Sequence, residues 1–135
     1  MKKGKYKVKV VRNIPASPQE VYRAWLNPKI PGTPWNMGDK LILQPKTDGM
    51  FFWRVHSVPH YGRFTKVQSG KSIQHTWMSP YTDGIESKVT VTFKKKGKET
   101  VMTLVHTGLP NNSNGKGHSD GWNFFLDKFP KYFGK

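Results

Sequence analysis

Five histidines, His56, His60, His75, His106 and His118, are the side chains best suited to chemistry near neutral pH. Their spacing matches no metal-ligand pattern, and the chain has no cysteine to add a thiolate. The eight Asp and Glu residues are scattered, so a converging carboxylate pair for acid–base work is not expected. No nucleophile elbow, phosphate loop or dinucleotide turn is read in the chain. The prediction is therefore no metal, no cofactor and little support for catalysis. What remains is binding. His75 and His106 fall at inward strand positions, where an imidazole either meets a neighbouring backbone or hydroxyl group or holds a ligand's polar end. His118 precedes Gly121-Trp122 and is placed either to tie down a helix start or to touch a ligand. The tryptophans, Trp25, Trp35, Trp53, Trp77 and Trp122, either fill a core or line an apolar pocket.

Positioning these groups falls to the elements around them. In residues 117–133, Trp122, Phe125, Leu126, Phe129, Tyr132 and Phe133 recur at steps of three and four. That is the period of one helical face, and a face so aromatic demands an apolar partner. Pro130 lacks a backbone donor and should kink this helix or end its regular part early. Residues 5–12 alternate, with Tyr6, Val8 and Val10 on one face and lysines on the other, which predicts a half-buried strand broken at Ile14-Pro15-Ala16. Ser17, Pro18 and Glu20 form a capping-box start to a helix carrying Val21, Tyr22, Ala24, Trp25 and Leu26, which stops at Asn27-Pro28.

Residues 28–38 read as an irregular connection, and strand signals follow at 40–44, 50–55, 61–67, 72–78, 87–94 and 100–107. The period of two predicts inward sets: Phe51, Trp53 and Val55; Ile73, His75 and Trp77; Val89, Val91 and Phe93; Met102, Leu104 and His106. Residues 108–117 read as a polar loop. Strands ahead of a segregated closing helix predict an α+β fold with an antiparallel sheet, in one domain over 1–135.

Charge is lopsided: 23 Lys and Arg against eight Asp and Glu leave +15. This suits an acidic partner, nucleic acid or an anionic membrane, or else lysines that keep the wet faces of strands soluble. No apolar run follows the N-terminus and none is long enough to span a bilayer, so a soluble cytoplasmic protein is expected.

Several stretches carry a family resemblance. Val11-Arg12-Asn13-Ile14-Pro15-Ala16-Ser17-Pro18 leads into Val21-Tyr22-Arg23-Ala24-Trp25-Leu26. Tyr61-Gly62-Arg63-Phe64, His75-Thr76-Trp77 and Glu86-Ser87-Lys88-Val89 follow, then Leu104-Val105-His106-Thr107-Gly108-Leu109-Pro110 and His118-Ser119-Asp120-Gly121-Trp122. In this order they resemble the Hsp90-ATPase-activator-homologue-like domains of the Bet v1/START superfamily. The resemblance implies a helix-grip fold: a curved seven-stranded antiparallel sheet around a long C-terminal helix, with a cavity between them. The chain departs from the family pattern at Pro130 and at the proline-rich residues 28–34, which stand where a second helix is usual.

Three functions are weighed. The first is non-enzymatic binding of a small hydrophobic ligand (lipid, isoprenoid or polyketide) in that cavity. Its walls would be Trp35, Phe51, Trp53, Phe64, Trp77, Met102, Leu104, Trp122, Phe125 and Phe129, with Arg63, His75 and His106 as polar contacts. The second, implied by the resemblance and the basic surface, is interaction with an acidic partner such as an Hsp90-type chaperone. The third is nucleic-acid binding through Lys2, Lys3, Lys5, Lys7 and Lys9 with Lys94, Lys95, Lys96 and Lys98. It is disfavoured because the aromatics face inward instead of interleaving with those lysines as stacking platforms. A monomer or weak dimer is expected.

Overall fold

The computed structural model describes residues 5–134. Lys2 and Lys3, weighed above as phosphate contacts, lie outside the described residues. Strand β1, Tyr6–Ile14, opens the chain and helix α1, Pro18–Trp25, follows. The capping box forms as predicted: the Glu20 amide donates to Ser17 Oγ, and the Ser17 amide donates to the Glu20 carboxylate. The irregular connection holds one 3-10 turn, Pro34–Asn36, which buries Trp35.

Six strands come next: β2, Lys40–Leu43; β3, Met50–Val55; β4, Val58–Gln68; β5, Ser72–Trp77; β6, Ser87–Lys96; and β7, Glu99–Leu109. With β1 they form one seven-stranded sheet in the order β1-β7-β6-β5-β4-β3-β2. Every neighbouring pair is antiparallel. Each proposed inward set is confirmed by burial, except that Val55 is only half-buried at the end of its strand. Helix α2, Ser113–Lys128, lies against the inner face of the sheet. Arg12 on β1 reaches both Asn123 and Asp127 of the helix, while Trp122 and Phe125 meet rings from β3, β5 and β7. A helix touching strands so far apart in the order is gripped by a curved sheet. Among the described residues no helix is long and apolar enough to cross a membrane.

Three expectations need correction. α2 begins at Ser113, so the polar loop shrinks to a short link after β7. Asn112 caps the helix by accepting the Gly115 amide, 3.2 Å, and the glycines and polar residues that follow had disguised its first turn. The strand after Pro59 starts earlier, at Val58, because His56 and Ser57 both take positive φ (51° and 65°) and make a tight hairpin without glycine. Lastly, Pro130 ends α2 at Lys128, as anticipated, but the chain continues as a 3-10 turn, Phe129–Phe133. The tighter winding rotates Tyr132 off the buried face, and it is 52% exposed.

Candidate functional site

Between the sheet and the first turns of α2 lies a pocket of about 310 Å³. Trp53 from β3, His60 from β4 and Trp77 from β5 form its sheet wall. Ser113, Asn114, Gly117, His118, Gly121, Trp122 and Phe125 form the helix wall, and Tyr81 also lines the space. Tyr81 belongs to the 3-10 turn Pro80–Thr82, which is tied to the helix start through Asp83. The Asn114 and Asn112 side-chain amides each donate to one Asp83 carboxylate oxygen, at 2.8 Å and 2.7 Å. Those two bonds hold the Asp83 pKa below the usual carboxylate value.

Two of the wall rings, Trp53 and Trp122, are fixed by hydrogen bonds that spend their polar atoms. The Trp53 indole N–H donates to the Met37 carbonyl, 2.9 Å. The Trp122 N–H donates to His106 Nδ1, 3.0 Å. An indole nitrogen can only donate, so His106 Nδ1 carries a lone pair and the proton sits on Nε2. That Nε2–H then donates to Ser87 Oγ, 2.7 Å, and the Ser87 hydroxyl donates to the Trp77 carbonyl, 2.6 Å. The chain Trp122–His106–Ser87–Trp77 thus joins α2 to β7, β6 and β5 with each donor matched. It requires a neutral His106, and burial drives the His106 pKa well below 6.5, assisted by repulsion from His118 and His75.

His118 is the reactive-looking group of the pocket. Its Nδ1 lies 3.0 Å from the Asn114 carbonyl oxygen, which can only accept, so Nδ1 carries the proton. Burial lowers its pKa too, against weaker support from the Asn114 and Gly115 carbonyls. A neutral ring with Nδ1 committed leaves Nε2 as a free acceptor. On the facing wall, His60 packs 4.7 Å from the Trp53 ring and 5.3 Å from Trp77. Burial pushes its pKa down to about 4, with the Val58 and Trp53 backbone pulling slightly the other way.

The sequence-derived site is reached only in part. Trp53, Trp77, Trp122 and Phe125 line the pocket. Trp35, Phe51, Phe64, Met102, Leu104 and Phe129 are sealed in the core and do not. Rings packed edge to face, such as Trp35 on Phe51 at 5.2 Å, fill the deep interior where a larger cavity was expected. His75 belongs to that filling: it packs against Phe51 and Phe64, and its Nδ1 donates to the Thr76 carbonyl, 2.9 Å. Complete burial pushes the His75 pKa down to about 4. His106 braces Trp122 and does not line the pocket itself. Arg63 alternates with buried Gly62 and Phe64, so it points out of the opposite sheet face and is exposed. His60 and Tyr81 were missed. Starting β4 at Val58 would have put His60 in phase with inward Phe64.

Gly117, His118 and Gly121 of the lining belong to the string Gly117-His118-Ser119-Asp120-Gly121, whose letters match Gly-x-Ser-x-Gly. A nucleophile elbow needs a strained strand-to-helix turn, whereas this string lies inside α2. Its glycines serve the pocket differently. A Cβ at Gly117 or Gly121 would meet nothing within 4 Å, so the helix surface is left flat over empty space. Gly115, by contrast, abuts the Pro110 carbonyl. Among the described residues no three His, Asp or Glu side chains converge as metal ligands would.

A curved antiparallel sheet closed on one long helix, with an apolar pocket between them, defines a helix-grip domain. Residues 15–134 match the family model described as "Activator of Hsp90 ATPase homolog 1-like protein", and the chain belongs to that family. Solved structures agree in fold. Protein CV1439 from Chromobacterium violaceum superposes with a TM-score of 0.76 at 17% identity, covering 96% of this chain and 97% of its own. DynU16, a protein of the dynemicin biosynthetic locus, gives 0.77 at 19% identity over 93% of this chain and 46% of its own. An Hsp90 activator from Plasmodium falciparum gives 0.70 at 20% identity over 91% and 89%. None of the curated proteins matches the chain.

Proposed function

We propose that this domain binds a small hydrophobic ligand in the pocket between the sheet and the start of α2. One observation carries the reading. Gly117 and Gly121 sit within a helix, at a cost of about 1 kcal/mol each relative to alanine, and no close neighbour requires either of them. What they do is keep the pocket open. The walls suit an apolar guest: a protein of net charge +15 lines this space with no Lys, Arg, Asp or Glu. The likeness to a protein of a biosynthetic locus supports the same reading.

Trp53, Trp77 and Trp122 make the site self-reporting. Titration with the uncharged probes N-phenyl-1-naphthylamine and naphthalene, read by tryptophan quenching, should show saturable binding that Gly121→Leu removes. Quenching unchanged in that variant, or no mass gained in native mass spectrometry from an apolar panel, would overturn the proposal.

A second reading is action on an Hsp90-type chaperone, favoured by the likeness to the Plasmodium activator and by the basic exterior, which would speed docking on an acidic partner. Chaperone ATPase turnover that stays flat at saturating domain would dismiss it.

A further inference from the structure

The pocket's hydrogen-bonding inventory narrows the kind of ligand it can hold, an inference that rests on the proposed binding role. Its walls are poor in free donors. The Trp53 and Trp122 N–H groups are already bonded, and the Asn114 amide is held by Asp83. The Trp77 N–H and His60 Nδ1 have no hydrogen-bond partner but are shut away from the space by burial. His118 supplies the reverse. Its Nδ1–H is spent on the Asn114 carbonyl, and Nε2 has no hydrogen-bond partner among the described residues. It therefore offers a lone pair to the pocket, and a guest that covers this half-buried acceptor without supplying a donor leaves it unmet, which costs free energy. A guest that brings an O–H removes that cost.

Shape adds a second restriction. The sheet wall presents the Trp53 and Trp77 indoles, and Trp122 on α2 closes against Trp77 with centroids 5.2 Å apart. The other wall is a helix surface flattened at Gly117 and Gly121. Indole faces on one side and a helix surface bare of side chains on the other suit an aromatic guest, which packs well against tilted rings. The volume, about 310 Å³, stands at the small end for ligand sites. Charge adds a third. With no cation in the lining, a carboxylate or phosphate would enter unpaired and desolvated.

We infer that the pocket selects small, uncharged aromatic molecules carrying a hydroxyl group, and that the hydroxyl donates to His118 Nε2. Specificity then comes from an acceptor waiting for a donor, which rejects the same ring system when its O–H is capped or absent. Tyr81 and Ser113 hydroxyls can turn to serve either role and do not change this preference.

Three probes of one ring system test it: 2-naphthol, 2-methoxynaphthalene and naphthalene, each titrated into the intact protein at pH 7.5 and read by tryptophan quenching with native mass spectrometry as a check. The expected result is 2-naphthol binding roughly three- to tenfold more tightly than either of the others, the worth of one net hydrogen bond. In His118→Phe the preference should vanish while naphthalene still binds, which also shows that the variant is folded. Equal affinities for all three probes in the wild-type protein would overturn the selectivity and leave the pocket as a plain apolar site. Binding of none of them would count against the binding role itself. A preference that survives in His118→Phe but is lost in Tyr81→Phe would move the acceptor to Tyr81 and overturn the assignment.

Discussion

Replacing Gly121 with alanine should make the free protein more stable. Gly121 lies well inside α2, has helical backbone angles, and would place a new Cβ in open space. No neighbour resists the methyl group, so the gain is the helix-propensity difference, about 1 kcal/mol, arising largely from lost backbone freedom in the unfolded chain. For a domain of this size that raises the melting midpoint by about 4 °C. Gly117→Ala should behave likewise, and the two together should add, since neither side chain displaces a packed group. Gly115→Ala is the internal control. Its Cβ would collide with the Pro110 carbonyl, and the same substitution there should destabilise by a kcal/mol or more. Differential scanning fluorimetry and urea denaturation of the three variants decide the matter. If Gly121→Ala lowers stability, the glycine has a packing reason and the argument that it is kept for the pocket fails.

Further outcomes follow from the buried histidines. His75 has its pKa pushed from 6.5 down to about 4 by complete burial, so the unfolded chain takes up a proton in this interval that the folded one refuses. Stability therefore falls as pH drops from about 6.5 toward 4, by up to ~3 kcal/mol from this residue. His60, lowered to about 4 in the same direction, adds to the decline. Urea midpoints measured across that range check the sign, and His75→Phe should flatten the profile. Ser87→Ala should cost about 1–3 kcal/mol by orphaning the His106 Nε2–H, seen as a lower urea midpoint with unchanged slope. It should also loosen Trp122, shifting its fluorescence.

Much of the fold was legible because local rules and global packing agree. Alternation along β5, β6 and β7 named the buried residues correctly, since a strand's side chains must choose one of two faces. The Ser17–Glu20 capping box and the Pro130 stop are likewise matters of a few adjacent atoms. Even the error over Arg63 was avoidable, because its neighbour Phe64 already claimed the inner face.

Periodicity cannot say how far along a curved sheet the helix will rest. Phe51 and Trp53 share one face of β3, yet the first is sealed among core rings and the second lines open space. His60, Tyr81 and His118 come from a strand, a 3-10 turn and a helix, and only the closure of α2 on the sheet brings them to one pocket. The residue types and their faces were set by the chain. Tertiary packing decided which rings fill the interior and which border the gap, because that depends on the distance between surfaces and not on the order of residues.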